Sequence, residues 1–285
     1  MVRCFTVVAE ELHFGRAAVL LHLAQPSLSR HVRRLEGELG VRLFDRTTQG
    51  TRLTEAGEAF LPRAEALLRS AAEAAAVVRA VGRPSRVVIG FMTGVIVTPA
   101  VRALRGRFPD ADVHSRFLGW GELPSALLEH RVDAVVGRLP FPTEGLCVTV
   151  LYEEPRVLLM PAAHRLAGKE YVTLDDIADE PVPRFPDPEF SAFWRVDPRP
   201  DGRPAPDGPL IRELEDKLEL VASGEVVALA PAGAVSKGLR PDVTAVPLEG
   251  VDPIPVVVAT RAGEENRPLL AAFRACAEDQ LTPAD

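Results

Sequence analysis

Between Gly15 and Leu39 the apolar positions fall into two helical registers separated by a short break. With Leu28 at the origin of a helical wheel, Val32, Leu35 and Leu39 lie within about 40° of it at ~100° per residue, so that side is predicted to face a core. Arg30, Arg33, Arg34 and Gly37 fall on the opposite side, with Ser27 flanking them. Pro26 suits a first helical turn and holds Gln25 extended, which starts the helix at about Pro26. Ahead of it Ala17, Ala18 and Leu21 offer a small-residue packing surface. Two short helices joined in this way form a helix-turn-helix, whose second helix enters the major groove of DNA. Taken alone, the same pattern also reads as a solvated basic face. After Gly40 an apolar pair leads into a basic polar loop with Gly50 at its tip, then a helix capped by Thr54. That loop has the character of a wing, from which Arg46, Thr47, Thr48 and Arg52 reach a phosphate or the minor groove.

Six motifs in order carry a resemblance: Phe5-x-x-Val8-Ala9-Glu10-Glu11, Phe14-x-x-Ala17-Ala18, Gln25-Pro26-Ser27-x-Ser29-Arg30, Leu35-Glu36-x-Glu38-Leu39-Gly40, Leu43-Phe44-x-Arg46 and Leu53-Thr54-x-Ala56-Gly57. Together they resemble the amino-terminal domain of LysR-type transcriptional regulators. The resemblance implies that Gln25, Ser27, Ser29, Arg30 and Arg34 lie nearest the bases or phosphates and that Arg46 belongs to the wing; the helix face and the loop add Pro26, Arg33, Thr47 and Arg52 as candidate DNA contacts. Two positions depart from the family pattern: Gln49 stands where a basic residue is usual, and His13 where a serine is usual. Met1 falls a few residues short of the family's usual start, which implies an upstream start codon.

The formal charge of −7 divides unevenly. Residues 1–62 hold eight arginines against seven carboxylates, leaving 25 cations against 33 carboxylates in the rest. The acidity therefore lies outside the basic head. No apolar run approaches the ~20 residues of a membrane span and no export signal follows Met1, so a cytoplasmic chain that does not engage a membrane is expected. Three widely spaced cysteines, Cys4, Cys147 and Cys276, fit neither a disulfide framework nor a metal site.

From Thr54 to about Val81 a single helix is predicted, with Glu55 and Glu58 complementing its dipole and Pro62 a point where it can kink. Leu61, Ala64, Leu68, Ala71, Ala75 and Val78 form a seam at alternating spacings of three and four. Packing on its own domain is one reading of that seam, and dimerisation, which the resemblance implies, is the other. The chain is thus read as an α+β multidomain protein: a winged helix-turn-helix (1–53), a linker helix (54–81), a hinge (82–85) and an effector-binding domain (86–281). Strands alternating with helices from Arg86 onward imply a mostly parallel sheet. By resemblance this region is a two-lobed α/β domain of periplasmic-binding-protein type, with lobe I at about 86–161 and 261–281 and lobe II at about 162–260. Between Pro186 and Pro209 seven prolines in 24 residues read as an irregular surface loop or lid.

Ligands of open α/β sheets bind at the carboxyl ends of strands. Thr93 and Gly94 follow the first strand and precede a helix, a setting that suits an anion, although Thr93 reads equally as a helix cap. Trp120 offers a flat apolar wall or core packing. Arg138 ends a strand and is placed to clamp a carboxylate bidentately, with an ion pair to the chain's own acids as the alternative. Phe185 is a candidate from lobe II. Together these residues point to a small carboxylate, with an aromatic one fitting Trp120. No nucleophile elbow, zinc-protease or P-loop motif is present and no two histidines share a helical face, so neither an enzyme nor a cofactor is expected. A ligand-responsive regulator partnered by promoter DNA and a small-molecule effector is the reading, and the resemblance implies that further copies of the chain join it as a dimer of dimers. A small-molecule-binding protein without a transcriptional role is the alternative.

Overall fold

The computed structural model describes residues 1–47, 50–82, 85–119, 121–212, 214–235 and 238–282. The chain divides into two compact units, Met1–Pro84 and Ser85–Asp285.

In the first unit α1 (Val2–Glu11), α2 (Phe14–Leu20) and α3 (Gln25–Leu39) pack around Phe5, Phe14, Leu28, Val32 and Leu35. The helix break is set at Ala24, which is extended (ψ 137°), so Gln25 is already helical rather than extended. β1 (Phe44–Thr47) and β2 (Gly50–Leu53) form an antiparallel hairpin in which Gly50 pairs with Thr47. Gly50 is therefore the last rung of the ladder, and Thr48 and Gln49 lie outside the described residues. Helix α4 (Glu55–Gly82) begins under Thr54, whose Oγ accepts the Gly57 amide at 3.0 Å and donates to the Arg42 carbonyl at 2.7 Å. Pro62 lies within α4 and leaves the Glu58 carbonyl without its helical donor. The hinge expected at 82–85 falls largely outside the described residues, at Arg83 and Pro84.

Further expectations for this unit are corrected. Leu39 is 43% exposed, because the core stripe of α3 ends with Leu35 one turn earlier. The linker helix is not separate from the head. Phe60, Leu61 and Ala64 pack into the head core, with Ala64 fully buried, so the first turns of the proposed seam face inward within one chain. Further along α4, Leu68 is half-buried and Ala71, Ala75 and Val78 are exposed.

The second unit has two lobes. In the first, a five-stranded sheet runs in the order β4 (Asp112–Phe117), β3 (Arg86–Phe91), β5 (Ala134–Arg138), β12 (Ile254–Arg261), β6 (Leu146–Glu154). Helices α5 (Thr98–Arg107), α6 (Glu122–Leu128) and α10 (Pro268–Gln280) complete its core. The second lobe is built on β10 (Ala228–Pro231), β7 (Arg156–Pro161) and β11 (Val243–Pro247). It also carries the parallel pair β8 (Val182–Arg184) and β9 (Asp207–Leu210), with α7 (Pro188–Arg195), α8 (Leu214–Ala222) and α9 (Ala232–Val235).

The sheets are less parallel than alternation implied. Only β4, β3 and β5 run parallel in the first lobe, and β7 is antiparallel to both its neighbours in the second. The chain leaves the first lobe along β6 and returns along β12 in the opposite direction. Consequently β7 belongs to the second lobe and β12 to the first, which moves the boundaries from 161 and 261 to about Pro155 and Pro253. The proline-rich stretch is also corrected. Asp187 caps α7 by accepting the Phe190 amide at 2.7 Å, Pro188 opens it, and Pro209 lies within β9.

Gly57 explains one motif residue physically, since a Cβ there would stand 2.2 Å from the Leu43 carbonyl oxygen. Gly57→Ala is expected to destabilise the first unit by about 1–3 kcal/mol through overpacking. Urea unfolding followed by circular dichroism measures this, and unchanged stability would refute the close approach.

Candidate functional site

On the first unit the candidate surface is the outer face of α3. Gln25, Pro26, Arg30, Arg33 and Arg34 are exposed and Ser27 is half-exposed, opposite the buried Leu28, Val32 and Leu35. Ser29 is a correction: one position after Leu28 it falls on the flank of the core stripe and is 6% exposed, so it does not belong to this face. Arg30 donates to Ser27 Oγ at 3.1 Å and Arg34 pairs with Glu38 at 3.1 Å, both in solvent. Such exposed contacts are weak and yield readily to a phosphate. Arg52 is exposed on β2, while Arg46 and Thr47 lie on β1.

Two residues hold this face in place. His13 Nδ1 accepts the amides of Gly15 and Arg16 at 3.0 and 3.2 Å, so the histidine caps α2 as a serine hydroxyl would. Glu36 accepts the amides of Leu43 and Phe44 at 2.8 and 3.2 Å, tying α3 to the base of the hairpin.

In the second unit a cleft of about 910 Å³ opens between the lobes. Leu123, Pro124, Pro140 and Phe141 line one side and Phe185, Pro186, Phe190 and Arg212 the other. A smaller cavity of about 300 Å³ adjoins it, and Met92, Arg138, Phe185 and Phe190 line both. Thr93 lines the smaller cavity, and Trp120 lies outside the described residues.

Arg138 is where expectation and structure part. It is 3% exposed, and its fork is taken by Glu154, with Nε to Oε2 at 2.7 Å and Nη2 to Oε1 at 3.2 Å. Nη1 donates to the Thr93 carbonyl at 2.7 Å and Nη2 to that of Gly94 at 3.3 Å. The clamp expected for a ligand carboxylate is thus occupied by the chain's own carboxylate, at the end of the long strand β6 on the far side of β12. Thr93 and Gly94 present carbonyl oxygens to a cation and are not an anion seat. Gly94 (φ +74°) also lies against Ala234, where a Cβ would come within 2.6 Å of the Ala234 Cα, leaving no room for a ligand. Across the seam Gly233 sits so close that a Cβ would approach Glu154 Oε1 to 2.4 Å.

Arg156 fastens the crossing between lobes. Its Nε donates to the Asp252 carbonyl at 3.0 Å and its Nη1 to that of Phe193 at 2.9 Å, with the guanidinium 4.2 Å from the Phe193 ring centroid. Burial pushes its pKa down to about 10.

Phe185 is buried against Phe190, and Phe190 against Trp194, giving the smaller cavity an aromatic wall. Lys217 completes the picture. It is 6% exposed on α8, its Nζ donates to the Leu229 carbonyl at 2.8 Å, and burial pushes its pKa down to about 8. Sequence reasoning passed over both. The signals were an Asp-Pro helix start before Phe190 and a lysine on the stripe Leu214, Leu218, Val221.

A lysine whose folded pKa lies below its ordinary 10.5 costs stability in full below pH 8, and the cost fades as pH rises to 10.5. Lys217→Met is therefore expected to stabilise the protein by on the order of 3 kcal/mol at pH 7. That advantage should shrink between pH 8 and 10.5 in urea unfolding; an advantage independent of pH would contradict it.

Comparison with known proteins bears on both units. Residues 1–58 match the bacterial regulatory helix-turn-helix protein, lysR family, and residues 82–282 match the LysR substrate binding domain. The regulator AlsR of Bacillus subtilis is 35% identical over 62% of this chain and 61% of its own length. The chain thus spans under two thirds of AlsR. BenM of Acinetobacter baylyi is 30% identical over 93% of this chain and 90% of its own. Full-length BenM is also a structural neighbour, with 27% identity, a TM-score of 0.57 and coverage of 98% and 94% of the two chains. Full-length CbnR complexed with its target DNA shares the fold at a TM-score of 0.54 and 24% identity, over 98% of this chain and 97% of that one.

Proposed function

The chain belongs to the LysR family of bacterial helix-turn-helix regulators, and on that premise we propose that it binds promoter DNA through α3 and alters transcription when a small molecule occupies the interlobe cleft. One observation carries the first half: an arginine-bearing helix face, held outward by a buried stripe, in a head that is net positive on an acidic chain. Arg30, Arg33 and Arg34 neutralise phosphates, and Gln25 and Ser27, at the amino end of α3, meet base edges. Arg46, Thr47 and Arg52 on the hairpin take the flanking backbone. The DNA-bound state of CbnR supports the same use of the fold here.

The exposed half of α4, with Leu67, Ala71, Ala75 and Val78, is the surface on which a second copy packs, and two such dimers make the tetramer. In the second unit, occupancy of the cleft shifts the balance between closure states by its differential affinity for them. Among the described residues no helix is long and apolar enough to cross a membrane, and a chain that works on DNA acts in the cytoplasm.

Arg30→Ala is expected to weaken binding to the DNA upstream of its own or a neighbouring gene and to unrelated DNA alike, and to lower the slope of log affinity against log salt by about 1, as loss of one phosphate contact does. Fluorescence anisotropy with specific and unrelated duplexes measures it. Equal binding of wild-type protein to both duplexes would overturn the regulatory reading and favour a small-molecule-binding protein without a transcriptional role.

A further inference from the structure

The smaller cavity carries a charge that no described residue balances. Among the described residues three cations line it. Arg138 is neutralised by Glu154, and Arg240 by Asp242 and Glu219. Lys217 differs: among the described residues no carboxylate lies within salt-bridge distance of its Nζ, and a single carbonyl, that of Leu229, receives it. That carbonyl belongs to the peptide leading into Ala230, itself part of the cavity wall, so the ammonium stands at the edge of the space. The rest of the lining is largely apolar and includes Phe185, Phe190, Trp194 and Leu218.

An ammonium in such a setting has exchanged water for hydrocarbon, with one hydrogen bond in return. The loss is large unless an opposite charge joins it. A lysine on an apolar helix stripe is also a poor choice for packing alone, since leucine or methionine would fill the position without that loss. We propose that this cavity is the seat of an organic monoanion with a compact apolar body, whose acid group pairs with Lys217 and whose body lies against Phe190 and Trp194. The inference rests on the ligand-responsive reading above and moves the anion anchor from Arg138 to Lys217. Its volume of about 300 Å³ is at the small end of ligand pockets, which fits one ring or a short branched chain. Because Met92 and Thr93 of the first lobe close the same space, an occupant held by Lys217 touches both lobes.

Calorimetric titration of the full-length protein with benzoate and cyclohexanecarboxylate, each against its neutral amide, tests the proposal. The acids are expected to bind at least tenfold tighter than the amides. Lys217→Met, which keeps the cavity lined and is expected to fold at least as stably, should abolish that preference while leaving amide binding unchanged. Acids bound equally well by wild-type and Lys217→Met protein, a wild-type preference for amides, or no binding of either acid at millimolar concentration would each overturn it. Promoter binding of the same two proteins, measured without ligand, separates this failure from that of the regulatory reading. A wild-type protein that prefers the acids but does not select promoter DNA would sink the function and leave the site standing.

Discussion

The second unit is organised around one buried ion pair. Arg138 ends β5 and Glu154 ends β6, two strands separated in the sheet by β12, and their side chains meet in bidentate contact with almost no solvent. The pair also collects the carbonyls of Thr93 and Gly94 from the turn after β3. Three chain segments of the first lobe are thereby held at one point, and the second lobe is fitted to it by the absence of side chains at Gly233 and Gly94. A buried pair of this kind gives little net stability over an apolar substitute, yet losing one partner strands a charge. Its value is positional, because it fixes where the lobes meet and so where the cleft and the smaller cavity open.

In the first unit the equivalent work is done by hydrogen bonds to backbone amides. His13 caps α2, Glu36 ties α3 to the hairpin, and Thr54 starts α4. The arginines of α3 can therefore remain free of the core and be presented on a rigid surface. Most of this was legible in the sequence because its determinants are local: a helical stripe, a proline at a first turn, a capping threonine. What failed lay where a periodic pattern says nothing about where the core ends. Leu39 has the right phase but no partner above it, Ser29 sits just inside the edge, and Leu61 and Ala64 have their partners in the head.

In the second unit the alternation of strands and helices could be read, while the connections, β6 and α7 could not. Periodicity gives no strand direction, so the antiparallel return of β12 and the exchange of β7 between lobes were hidden. The nine-residue β6 was hidden too. Arg138 was placed correctly at a strand end, but its partner is 16 residues away on a strand that only the fold, with β12 between them, brings within reach. Lys217 was visible as an anomaly of the α8 stripe. Its meaning depends on a cavity assembled from both lobes.

Arg138 and Glu154 satisfy each other, which leaves the ligand to Lys217. A double-mutant cycle in urea unfolding with Arg138→Met, Glu154→Leu and the double variant tests this most directly. Each single variant should lose roughly 3–5 kcal/mol because the other charge is left buried, and the double variant should lose much less than the two combined. Additive losses, or an Arg138→Met protein as stable as wild type, would show that the two residues are not coupled and would contradict the account.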